Sequence, residues 1–188
     1  MNIANKVTMS RLVLTVVFVA LGSFDNATMR WCAYFAGAAA CISDFFDGYL
    51  ARKLNLVSDF GKLMDPLADK IFVTAAFILL SAGANPAIPA WISVVVLSRE
   101  IAVTGLRMIA LQEGNLIEAG ATGKLKAVVQ FVYLGFAGLL WASGLSWNAD
   151  FGVAGYFIQF LMYVTLVLTV YSGYEYFAKN KDLYMKSL

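Results

Sequence analysis

A chain of 188 residues is one domain by length, but its composition is not that of a soluble domain. Apolar residues make up 61% and charged residues 14%, where soluble proteins carry about 45–50% and about 25%; the mean hydropathy is +0.73, so a bilayer is the natural solvent. The net charge of +2 comes with no basic stripe of the kind that binds nucleic acid, and the lack of His leaves oxygen ligands or two Cys for any metal.

In chain order, Lys6 and Arg11 precede an apolar run from Leu12 to Leu21, and the run ends in a weakly cleavage-like Ala20-Leu21-Gly22. Six apolar segments follow one another at about 10–24, 31–52, 60–82, 87–111, 122–144 and 151–177. Most reach the roughly 20 residues that cross a hydrocarbon core. The first is short and follows an interfacial helix containing Lys6. Breaker residues separate the segments: Asp25-Asn26, Gly83-Ala84-Asn85-Pro86, Gly114-Asn115 and Ser146-Trp147-Asn148. The loops are too short for a second domain, so residues 1–188 read as a single all-α, polytopic membrane domain of six transmembrane helices.

Basic residues orient these helices. With a cytoplasmic N-terminus, residues 25–30, 83–86 and 145–150 face outward, and of the 14 Lys and Arg only Arg30 falls among them. Trp31, Trp91, Trp141 and Trp147 then mark an outer aromatic belt. Both termini are expected in the cytoplasm. The run Ala36-Gly37-Ala38-Ala39-Ala40 lets the second helix approach its neighbours closely. Cys32 and Cys41 stand nine apart, roughly 13 Å along one helix, too far for a disulfide; they read as small packing residues. The Phe and Tyr residues of the last helix read as packing or lipid contacts.

Six acids interrupt the apolar segments: Asp44, Asp47, Asp65, Asp69, Glu100 and Glu175. An ionised Asp mid-helix costs about 2.5–3.5 kcal/mol on insertion scales, so each needs a compensating partner. Asp44 and Asp47 are i,i+3 and Asp65 and Asp69 are i,i+4, which gives each pair one helix face. The pairs flank one cytoplasmic loop, so four carboxylates can converge between antiparallel helices. Converging anions repel unless cations join them. Mg²⁺ or Mn²⁺ suits such an all-oxygen set, and two ions bridged by carboxylates are the arrangement that assists phosphoryl chemistry. The plainer alternative is ion pairing with Arg52, Lys53, Lys62 and Lys70. Between the pairs, Gly48 and Ala51 leave room for a flat ligand, Arg52 offers a planar cation, and Gly61 stands where a helix start favours an anion.

The pattern Asp44-x2-Asp47-Gly48-x2-Ala51-Arg52-x8-Gly61-x3-Asp65-x3-Asp69 resembles the defining motif of the CDP-alcohol phosphatidyltransferase family, with all eight fixed positions present. At residue frequencies of about 5–8%, such a match arises by chance at most on the order of 10⁻⁹ times per starting position. The resemblance implies a six-helix membrane enzyme, usually homodimeric, with a polar cavity open to the cytoplasm. It implies that Asp44, Asp47, Asp65 and Asp69 hold two divalent cations that grip the diphosphate of CDP-diacylglycerol. It further implies that Asp69 is the catalytic base toward the acceptor hydroxyl, and that Gly48, Ala51, Arg52 and Gly61 shape the donor pocket. Asn5-x2-Thr8-x2-Arg11 is similar to the polar stretch before the first helix in these enzymes, which lines the cavity near the donor head group. Ala4 stands where Pro is common in the family. Cleavage of a signal would remove this stretch, so it is not expected.

The acceptor is read from other charges. Arg99 and Arg107 share the fourth helix within about 80° of one another, and Gly123-Lys124-Leu125-Lys126 opens the fifth. Cations inside apolar helices are costly, so an acceptor that carries phosphate would account for them. The plainer alternatives are that Arg99 pairs with Glu100 or a motif aspartate and that Lys126 snorkels to the surface. The run from Arg99 to Arg107 and the Gly-Lys-x-Lys segment resemble the bacterial phosphatidylglycerophosphate synthases of the family, although Ala127 replaces a frequent Thr. That resemblance implies sn-glycerol 3-phosphate as acceptor, its phosphate bound by Arg99, Arg107, Lys124 and Lys126, in a bacterial inner membrane. Another phosphorylated alcohol, such as inositol phosphate, is the alternative within the family. A divalent-cation transporter is the alternative outside it, although neither internal repeats nor broken mid-membrane helices appear.

Overall fold

The computed structural model describes the backbone of residues 3–54, 59–112, 120–148 and 152–181, and the side chains of that set except at 3–8, 43–54, 59–67, 69 and 111–112. Six helices account for nearly all of it: α1 (Ile3–Gly22), α2 (Ala27–Leu54), α3 (Asp59–Leu80), α4 (Ala90–Gln112), α5 (Ala121–Ala142) and α6 (Val153–Lys179). Among the described residues there is no strand. The helices follow the six apolar segments closely, with one marked difference. α1 begins at Ile3, seven residues before the expected start, as one continuous helix of 20 residues. Residues 3–9 are polar enough to read as a separate element, yet they contain neither Gly nor Pro and nothing breaks the backbone ladder.

Two helix ends show local capping chemistry, one at the breaker Asn26 and one at Gly144, ahead of the expected break at Ser146. Asn26 caps α2, its Oδ1 accepting the Thr28 N–H at 2.8 Å. α5 ends in a Schellman motif: the Leu145 N–H donates to the Leu140 carbonyl and the Gly144 N–H to the Trp141 carbonyl, both at 3.0 Å. Gly144 takes φ 75°, which a side chain would resist.

The chain forms two compact units. The first comprises Met1–Ala87 with Ala137–Ser146. In it α1 packs on both α2 and α3. Phe18 of α1 is buried against Phe72 of α3, ring centroids 5.9 Å apart. Its ring also lies over Gly37, where an added Cβ would meet it at 3.2 Å. Ala33, Gly37 and Ala40, spaced i, i+4, i+7, form the buried stripe of α2, so the small-residue run does bring helices close. Trp141 is buried within this unit, away from the lipid-facing place an aromatic belt would give it. Cys32 and Cys41 are unbridged, and Cys32 is exposed where a packing role was expected.

The second unit comprises Ile88–Phe136 with Trp147–Leu188. α4 and α6 lie side by side and run the same way, since Arg99 meets Ser172 and Arg107 meets Tyr176. The α5 part of this unit runs antiparallel to α6, with Thr122 against Glu175 at one end and Phe136 against Phe157 at the other.

α5 and α6 are long and apolar enough to span a membrane, at 22 and 27 residues. α6 is unlike the core helix of a soluble protein: 28% of its most apolar stretch is buried, and Tyr156, Phe160, Tyr163, Val167 and Tyr174 are exposed. A bilayer satisfies such a helix and water does not. Shorter apolar stretches run over Met9–Gly22 and Lys70–Leu80.

Candidate active site

The first unit carries the aspartates. Asp44, Asp47, Gly48, Ala51 and Arg52 lie on the last turns of α2, and Gly61, Asp65 and Asp69 lie on the first turns of α3. Asn5 and Thr8 lie on α1, the helix against which both α2 and α3 pack. The side chains of these ten residues lie outside the described residues. α3 passes through Pro66, its eighth residue and deeper than the first turn where Pro costs least. The donor set is four carboxylates in a chain without His, a set that suits a hard cation such as Mg²⁺ or Mn²⁺.

The second unit carries the basic residues, and here side chains are described. Lys126 of α5 is 3% exposed and pairs with Glu100 of α4; it does not snorkel to the surface. Arg99 reaches the same carboxylate less closely, Nη1 to Oε1 at 3.6 Å. Its Nη2 donates to Ser172 Oγ on α6 at 3.0 Å. Arg107 Nε donates to the Tyr176 hydroxyl at 3.1 Å, with Cζ 5.5 Å from the ring centroid. Lys124 is exposed. At the neighbouring end of the unit Thr122 Oγ1 donates to Glu175 Oε2 at 2.6 Å, and Lys179 pairs with the other oxygen of that carboxylate.

These contacts sort the four cations. One carboxylate, Glu100, serves both Lys126 and Arg99. Among the described residues no carboxylate pairs with Arg107, whose partner is a neutral phenol. Among the described residues, then, the acids do not match the positive charge at Arg99 and Arg107, and an anion would offset it. Glu100 gains a role from this geometry: it is the counter-ion of a nearly buried lysine. Glu100→Gln should lower stability by about 3 kcal/mol, or roughly 6–12 °C in Tm, by removing the carboxylate that offsets that charge. Adding Lys126→Met should recover most of the loss. Thermal unfolding in detergent checks both; a Glu100→Gln protein as stable as the parent would contradict the pairing.

Ser172, Tyr176, Thr122 and Glu175 did not emerge as site residues from the sequence. By sequence Tyr176 looks like the packing aromatics of the last helix. One signal was present: Thr165, Thr169, Ser172 and Tyr176 recur at i, i+4, i+7 and i+11, a polar stripe on an apolar helix. All four are buried.

Known proteins resemble this chain along most of its length. The family model for CDP-alcohol phosphatidyltransferases matches residues 1–171. A Bacillus subtilis protein named CDP-diacylglycerol–glycerol-3-phosphate 3-phosphatidyltransferase is 38% identical, over 95% of each chain. Proteins with the same name from Rickettsia typhi and Mycoplasma genitalium are 32% and 28% identical; the alignments cover 97% and 98% of this chain and 99% and 85% of theirs.

Proposed function

Because the chain belongs to the CDP-alcohol phosphatidyltransferase family, we propose that it transfers the phosphatidyl group of CDP-diacylglycerol to sn-glycerol 3-phosphate. The products are phosphatidylglycerophosphate and CMP. The observation that carries the reading is end-to-end similarity to relatives named for this reaction, in a chain that keeps all eight motif residues.

The acceptor hydroxyl attacks the lipid-side phosphorus, the phosphoanhydride bond breaks, and CMP departs with the bonding electrons. Asp69 takes the proton from that hydroxyl. It stands on a helix, which restricts its position, and positioning is a large part of such catalysis. Asp44, Asp47, Asp65 and Asp69 would hold two divalent cations, whose charge, when bound, favours the phosphoryl oxygens and the leaving group. Gly48, Ala51 and Gly61 leave space for the nucleotide and diphosphate, Arg52 offers its planar cation to them, and Asn5 and Thr8 serve the donor head group. Arg99, Arg107 and Lys124 bind the acceptor's phosphate. Lys126, held by its pair with Glu100, completes that phosphate pocket from α5.

The wider setting belongs to the same proposal. All six helices cross a bacterial inner membrane, with both termini and a polar cavity on the cytoplasmic side, and the protein works as a homodimer. The excess of Lys and Arg in the inward loops supports this orientation.

Purified protein given CDP-diacylglycerol should release CMP when sn-glycerol 3-phosphate is added, and not with inositol phosphate. EDTA should stop the release, and Mg²⁺ or Mn²⁺ should restore it. Preference for inositol phosphate would overturn the acceptor, and full activity in chelator would overturn the metal site.

A further inference from the structure

Two arginines two turns apart on α4 are tied to two residues one turn apart on α6. Arg99 and Arg107 stand about 12 Å apart along their helix axis, while Ser172 and Tyr176 are separated by about 6 Å along theirs. Side chains on a helix lean toward its N-terminus, so the Tyr176 hydroxyl leans back toward the turn of Ser172. The two guanidiniums are thereby drawn toward one another. Each α6 partner is built for this. Ser172 Oγ donates its proton to the Thr169 carbonyl at 3.2 Å, which leaves a lone pair for Arg99. The Tyr176 ring is buried against Val103 and Leu106 of α4, which fixes its hydroxyl over Arg107. Gly173 clears the stem of Arg99: a Cβ there would meet Arg99 Cγ at 3.1 Å. Both partners are neutral, so they orient the cations without cancelling their charge.

We infer that Ser172 and Tyr176 are positioning residues that aim Arg99 and Arg107 jointly at a phosphate monoester, the phosphate of the acceptor. The inference rests on the proposed acceptor reading and extends it to α6, a helix that carries none of the motif residues. Two convergent planar forks supply more donors than the two neutral contacts consume, so both arginines retain N–H groups for a bound oxyanion.

The test is Tyr176→Phe, which removes one hydroxyl and keeps the ring in place. The KM for sn-glycerol 3-phosphate should rise about tenfold, with kcat and the KM for CDP-diacylglycerol within about twofold. Ser172→Ala should act in the same direction. Thr165→Val, two turns from Ser172 on the same stripe, should change none of the three. An unchanged acceptor KM in Tyr176→Phe, or an equal rise in both KM values, would overturn the inference. Titration with inorganic phosphate keeps the two readings distinguishable: Tyr176→Phe should bind it about tenfold more weakly than the parent protein. If the parent released no CMP with glycerol 3-phosphate, the acceptor reading would fall, and equal phosphate affinities in parent and variant would still overturn the positioning role by themselves.

Discussion

Asp69→Asn is expected to lower kcat by roughly 10³-fold while leaving the KM for CDP-diacylglycerol within a few fold. The amide has almost the shape of the carboxylate and keeps one oxygen that can face a cation. What it cannot do is accept a proton. Without a base the acceptor must attack as a neutral alcohol, a far weaker nucleophile than the alkoxide. General bases contribute about 10²–10⁴ in rate, which sets the scale. Single-turnover release of CMP from saturated enzyme measures the chemical step free of product release. Turnover within tenfold of the parent would move the base elsewhere.

Arg107→Ala is the second large effect, and it falls on binding. The KM for sn-glycerol 3-phosphate should rise by about 30- to 150-fold, equivalent to roughly 2–3 kcal/mol from one charge-assisted contact. The donor's KM should hardly move. Arg107 faces a phenol in place of a carboxylate, so among the described residues no acid offsets its charge. Arg107→Lys should fall between, because an ammonium keeps the charge and loses the planar fork. Initial rates measured across both substrate concentrations separate the two constants. A parallel rise in both would mean that Arg107 supports the fold at large and does not hold the acceptor.

Much of the architecture could be read from the sequence because it is written in local features. Apolar runs of membrane length, separated by breaker runs such as Asp25-Asn26 and Gly83-Ala84-Asn85-Pro86, mark six helices, and six helices form among the described residues. The eight-residue motif is equally local, lying within 26 residues on the two helices that flank one loop. α1 starts seven residues ahead of its apolar run because residues 3–9, though polar, hold no helix breaker. Apart from the contact of Arg99 with its neighbour Glu100, the sequence could not assign the partners of the cations. Lys126 meets Glu100 from 26 positions away, Arg107 meets Tyr176 from 69, and Arg99 meets Ser172 from 73. Those pairings follow from the parallel course of α4 and α6 and the return of α5, which no local pattern encodes. Tyr176 was hidden for a second reason: an aromatic on an apolar helix looks like every other lipid contact until a guanidinium is found against its hydroxyl.

The central claim is phosphatidyl transfer to a phosphorylated alcohol, and the direct measurement is the lipid made by purified protein from CDP-diacylglycerol and sn-glycerol 3-phosphate in Mg²⁺. Mass analysis should find phosphatidylglycerophosphate and CMP in equal amounts, with neither formed when the acceptor is left out. CMP released without the phosphorylated lipid, or no CMP at all, would contradict the account.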